Sequence, residues 1–297
     1  MIGGLAAGAL ALLTSPASAT FPGQNGRIVF ADGGHIATVN PDGSGLTLLT
    51  AGAGNSDPSF SASGERIVYS HRVGRHHVIV AMRADGTHKR ALTRRHADHS
   101  PAFSPSGRRI AFSRRGHSGE DTFFRIWVMR ADGTHRRQLT HDKPVFQARH
   151  DQPSFSPGGK KILFESVLAE DSGIGLIHAD GSATAARFPD GAVEPSFAPG
   201  GKRILFTYSF APTAEIDVID ADGSDPRHIT NNADPNAVFA FPSYSPDGTR
   251  IVFSSGDSLL GPARGDIYTM NADGTGLTQL TSDGRSLAPD WGPLPVS

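Results

Sequence analysis

Residues 241 to 254, FPSYSPDGTRIVFS, followed at 267 to 281 by IYTMNADGTGLTQLT, decide the fold, because the same two phrases recur along the chain. Close copies run from Pro58 to Thr93 (DPSFSASGERIVYS, then IVAMRADGTHKRALT) and from Pro101 to Thr140 (SPAFSPSGRRIAFS, then IWVMRADGTHRRQLT). Looser copies begin at Pro153 and Pro195. A sixth is split: NGRIVF and VNPDGSGLTLLT stand within residues 25 to 50, and their missing Pro-x-aromatic words, PDWGP, come at 289 to 293. A repeat of 42 to 52 residues with four short strands suits a propeller blade.

Alternation with period two puts the Ile and Phe of each Ile-x-Phe word on one face of a strand. Ser-Pro-x-Gly and Ala-Asp-Gly supply the reversals, proline by fixing φ and glycine by accepting a positive one. The Asp of each Ala-Asp-Gly-type turn (Asp42, Asp85, Asp132, Asp180, Asp222 and Asp273) can cap its own backbone, an Asx turn that requires no calcium. A four-stranded sheet cannot bury both faces alone, so Phe60, Phe103, Phe155, Phe197, Tyr244 and Trp291 are the expected wedges between stacked blades. The expected fold is all-β: a six-bladed propeller of four-stranded antiparallel blades, its ring closed by the C-terminal segment joining the N-terminal blade.

Residues 1–19 differ in kind, an apolar Gly, Ala and Leu run ending in Ala17-Ser18-Ala19, and read as a secretory signal despite lacking an early Lys or Arg. Residues 20–297 form the propeller, and the expected location is periplasmic or secreted. The absence of cysteine excludes thiol chemistry, Cys-ligated zinc and a lipidated N-terminal cysteine. Net charge is near zero but uneven. Residues 71 to 150 hold 17 Lys or Arg against 6 Asp or Glu, and the remainder hold 11 against 23, a dipole able to steer an acidic partner.

Residues just before each first strand should crowd one mouth of the channel: Asp57, Asp98, His99, His150, Asp151, Glu194 and Asp234. None has the paired-histidine spacing that fixes a metal on one element, so no metal or cofactor is assigned. Longer insertions carry apolar side chains beside arginine, giving Phe123, Phe124, Arg125, Phe146, Arg149 and Phe239 as partner-binding candidates. Ser61, Ser104, Ser156 and Ser245 recur with the repeat and read as blade hydrogen-bonders, since a nucleophile is needed once. No nucleophile elbow, zincin motif, phosphate loop or dinucleotide fingerprint occurs, and no catalytic residue is assigned. The basic stretch from His71 to His99 has few aromatics for stacking on bases, and nucleic acid is not an expected partner.

The words P-x-[FWY]-S-P-x-G-x-x-I-x-F and [MI]-x-[AN]-x-D-G-T-x-x-x-x-L-T resemble the WD40-like (PD40) repeats of the TolB propeller family, most fully in Phe241 to Phe253 with Ile267 to Thr281, over residues 23 to 293. The resemblance implies a periplasmic six-bladed propeller that binds a peptidoglycan-associated lipoprotein. It also implies a separate N-terminal α/β domain, for which this chain has no room, so only a binding propeller carries over. The leading expectation is an exported, non-catalytic binding or scaffold propeller for a protein or an anionic envelope component. The alternative, from similar repeats in sugar-acid lyases, is a metal-assisted enzyme acting on an acidic glycan.

Overall fold

The computed structural model describes residues 22–94, 96–118, 121–141, 149–168, 171–182, 184–188, 190–210, 213–231, 238–256 and 265–295. All regular structure among them is β. Four sheets have four strands each. The first runs Ser286–Pro293, Asn25–Asp32, His35–Val39, Thr47–Leu48, and the second Asn55–Phe60, Arg66–Val73, His76–Arg83, Arg90–Ala91. The third runs Asp98–Phe103, Arg109–Ser118, Asp121–Arg130, Arg137–Gln138, and the fourth Arg149–Phe155, Lys161–Leu168, Asp171–His178, Thr184–Arg187.

The rest corrects the expectation of six separate four-stranded blades. Strands from Ala192–Phe197 to Thr278–Gln279 form one eight-stranded sheet. Its two halves are joined by one parallel pair, Ala214 with Val238. The repeat words specify pairing within a repeat and are silent on how far the next first strand reaches back. Here Ala214 bridges Val238 inside the strand Val238–Tyr244, whereas the comparable parallel bridge of His77 with Ala97 falls just ahead of Asp98–Phe103 and leaves those sheets separate. The fold is thus a propeller of four small sheets and one large one.

The first strands of successive repeats touch one another all the way round, and Ser286–Pro293 meets both Val238–Tyr244 and Asn55–Phe60. The closing pair aligns Ile28 with Trp291 and Val29 with Asp290, and Trp291 Nε1 donates to the Gly26 carbonyl at 3.1 Å. All six wedge aromatics are buried. One apolar cluster combines Val29, Ile36 and Leu49 of the first sheet with Phe60, Ile67 and Tyr69 of the second, so the core lies between sheets. Each such aromatic stabilises by roughly 1.5–3 kcal/mol through removal from water.

Polar words of the repeat tie the same seams. The Arg before Ile-x-Phe reaches the next sheet: Arg66 lies 4.9 Å from the Phe103 ring centroid and donates to the Gly107 carbonyl at 2.9 Å. Arg109 does the same to Phe155 and the Gly159 carbonyl, and Arg250 lies over Trp291. The Thr that ends a Leu-Thr or Ile-Thr word accepts from the backbone of the third strand, as in Ile126 N to Thr140 Oγ1 at 3.0 Å and Ile267 N to Thr281 Oγ1 at 2.9 Å. Each Asx-turn Asp accepts from the backbone N–H and hydroxyl two residues on, for example Asp132 from Thr134 at 2.8 and 2.6 Å.

Candidate functional site

Both turns of a repeat lie at one face of the ring. The loops between second and third strands, and the crossings to the next repeat, lie at the other. At this loop face every inner strand carries a bulge, and the residue just before the repeated proline has a left-handed backbone: Asp57, Ser100, Gln152, Glu194, Phe241 and Ala288, with φ between 49° and 54°. Pairing with the second strand slips at each of these bulges. A bulge re-aims a side chain at the expense of local strain, about 1–3 kcal/mol for a non-glycine residue in this region. Here all six residues line one central cavity of about 150 Å³. Asp57, Phe241 and Ala288 also border a wider opening of about 830 Å³ beside it.

The backbone N–H of a bulged residue is met in several cases by the side chain that follows Ile-x-Phe in the preceding repeat. Ser70 Oγ accepts from Ser100 N at 3.2 Å and Ser254 Oγ from Ala288 N at 3.1 Å. At this position the fourth sheet has Glu165, a buried acid that accepts from the Glu194 backbone. Burial raises the pKa of Glu165, and the Arg149 charge opposes the rise. Arg149 Nη2 lies 3.0 Å from Asp151 Oδ2, and Arg149 Nη1 lies 3.7 Å from Glu165 Oε1.

Glu194 is a strongly perturbed acid of the mouth. Burial pushes its pKa up to about 7, although its Oε2 accepts from Phe241 N at 2.6 Å and Thr207 Oγ1 at 2.8 Å. Asp57 is raised by burial and then by the Asp151 charge, with Ser56 Oγ donating to it at 2.9 Å. One guanidinium therefore faces Asp151, Glu165 and Glu194, and burial disfavours the charged form of the two glutamates. The arrangement can hold a cationic group or exchange a proton near neutrality.

The structure separates the other sequence candidates. Asp98 is fully buried in a two-pronged ion pair with Arg114, at 2.6 and 3.0 Å, away from the cavity lining. His150 is buried against the Phe164 ring, with centroids 5.0 Å apart, and its carbonyl accepts from Ser113 Oγ. His99 packs tilted against His77, with centroids 4.4 Å apart, and edge-on to Phe124 at 6.0 Å. Arg125 is buried below the Phe123 ring at 4.8 Å and donates to the Phe124 carbonyl. Phe239 packs on Phe253 at 5.2 Å, within an apolar cluster. Asp234 and Phe146 lie outside the described residues. Among the described residues no three His, Cys, Asp or Glu gather as a metal-binding group.

Sequence reasoning missed Ser100, Gln152, Phe241, Ala288 and Glu165. The signal was present: each is the residue before a repeated proline or after an Ile-x-Phe word. It also missed Asp290, which occupies the place of Ser59 and Ser243 and accepts from Phe60 N at 2.7 Å and Ser243 Oγ at 3.2 Å.

A ring of antiparallel repeats, four as separate sheets and two joined in one, closed by its first and last strands around a narrow cavity with a variable mouth, defines a β-propeller. Residues 152–294 match the family described as TolB beta propeller domain (PD40). Among solved structures it is similar to TolB from Acinetobacter baumannii, with TM-score 0.72 and 18% identity over 90% of this chain and 67% of that one. A putative TolB from Agrobacterium tumefaciens gives TM-score 0.68 and 18% identity over 91% and 99%. Kuenenia stuttgartiensis hydrazine synthase gives 0.72 and 16% over 91% and 47%. At these identities the likeness is one of fold. No curated protein sequence matches. Among the described residues no helix is long and apolar enough to cross a membrane.

Proposed function

We propose that this chain is an exported binding or scaffold propeller, not an enzyme, and that it holds a protein partner at the loop-face mouth. One observation carries the reading: the positions that build the ring repeat, whereas the six bulged positions around the cavity hold six different side chains. Identical backbone geometry bearing unlike chemistry is what a recognition surface on a rigid scaffold requires. The acid excess of Asp57, Asp151, Glu165 and Glu194 over Arg149 favours a basic segment of that partner and disfavours a polyanion at this mouth. The solved TolB likenesses support a propeller of this kind located outside the cytoplasm.

The test is affinity capture from an envelope extract, comparing the native protein with a triple variant, Asp57→Asn, Glu194→Gln and Phe241→Ala. A partner retained by the native ring at low salt and lost by the variant is expected. Equal retention by both, or crosslinks confined to the turn face, would overturn the assignment.

A further inference from the structure

We propose that the groove on the flank of the second repeat, beneath Lys89 and Arg90, is a binding site for a small ligand carrying a carboxylate or phosphate group. The groove encloses about 370 Å³, within the range of small-molecule sites, and its lining includes Asn55, Tyr69, His71, Lys89 and Arg90 without any Asp or Glu. Only Asn55 is shared with the openings at the channel mouth, so the site stands independently of the proposed function.

Tyr69 singles the groove out. The last residue of the Ile-x-Phe word is Phe30, Phe112, Phe164, Phe206 and Phe253 in the other five copies, each buried in the same way. The second repeat alone adds a hydroxyl. Tyr69 is 3% exposed and that hydroxyl has no hydrogen-bond partner among the described residues. Burial pushes its pKa up to about 12, so the group is a neutral donor under all ordinary conditions. The hydroxyl is not among the fully buried unpaired atoms; it is the part of the ring that reaches the groove wall, where a ligand can meet it. An acceptor entering the groove can take its hydrogen bond in place of water.

The cations around it keep donors to spare. Lys89 Nζ donates to the Gly86 carbonyl and Arg90 Nη2 to the Asp132 carbonyl, leaving two ammonium protons and the rest of a guanidinium. His71 Nδ1 donates to Asn55 Oδ1 at 2.9 Å, so its Nε2 adds a donor only when the ring carries a second proton. The third repeat is an internal control. It has Arg136 and Arg137 at the equivalent places, but a Phe at 112, and the positions of His71 and Asn55 hold the Arg114 and Asp98 ion pair. Charge is present there, whereas the free hydroxyl and the acid-free wall are not.

Calorimetric titration of the whole protein at pH 7 and low ionic strength, with inorganic phosphate in one arm and glucuronate in the other, tests the site. Saturable one-to-one binding of at least one probe is expected, and the arm that saturates identifies the group. Tyr69→Phe should weaken it about tenfold or more, the loss of one hydrogen bond to a charged acceptor, while retaining the fold because it restores the residue of the other repeats. Lys89→Ala with Arg90→Ala should abolish binding, and Arg136→Ala with Arg137→Ala should leave it unchanged. Unaltered affinity in Tyr69→Phe, equal loss in the third-repeat variant, or no saturation by either probe would each overturn the proposal.

Discussion

Replacing Glu194 with Gln should make the ring more stable at pH 8 and leave it unchanged at pH 5. The carboxyl has an ordinary pKa of 4.5 and is pushed up to about 7, first by burial and then by the charge of Glu165. A group whose pKa is higher in the folded state contributes stability that is fully present below its unfolded pKa. That contribution is lost as pH rises through the folded one. The gap between 4.5 and about 7 corresponds to about 3 kcal/mol, an upper bound for the penalty carried above pH 7. A glutamine retains an oxygen that accepts from Phe241 N and Thr207 Oγ1, so the bonds survive while the buried charge does not. Urea and thermal unfolding followed by circular dichroism at half-unit steps from pH 5 to pH 8 measure it. The native protein should lose stability across that window and the variant should be flatter, with a melting point roughly 5–10 °C higher at pH 8. Parallel pH profiles for the two proteins would refute the account of Glu194 as a buried acid near neutrality.

Trp291→Ala should lower stability by roughly 3–5 kcal/mol in urea titrations, and removing residues 286–297 should abolish a single cooperative transition, because both act on the closing strand. Arg109→Ala should cost about 1–2 kcal/mol by denaturation, through the Phe155 face and the Gly159 carbonyl, and Arg109→Lys should recover only part of it. Gly133 has φ of 84° and an added Cβ would lie 2.7 Å from the Leu92 carbonyl oxygen, so Gly133→Ala should cost about 1 kcal/mol or more by the same assay.

The repeat made the strands, turns and wedge aromatics legible, because each depends on residues adjacent in sequence. The union of Ala214 with Val238 was not, since it depends on how two repeats approach across a connecting segment. Charge was read as a surface dipole from residues 71 to 150, yet Arg109 lies over an aromatic of the next sheet and Arg125 is buried beneath Phe123. Counting signs in a sequence cannot separate guanidiniums that bind seams from those that face water. At the mouth, Asp57 and Glu194 were anticipated from their place before a first strand. Ser100, Gln152, Phe241 and Ala288 hold equivalent places but carry no conspicuous chemistry, and only the shared bulge brings them together. Asp98 has the expected residue type yet is consumed by Arg114.

Joining Asn25–Asp32 to Ser286–Pro293 sets a timetable for folding. The hairpins of the later repeats draw on nearby residues and can form as the ribosome delivers them. The first sheet instead keeps one bare edge until about 260 further residues have been made, and contacts spanning so much chain are slow to find. During that wait the exposed edge is open to pairing with a neighbouring nascent chain, so a holdase that covers Asn25–Asp32 would raise the yield of native protein more than one acting on any later strand.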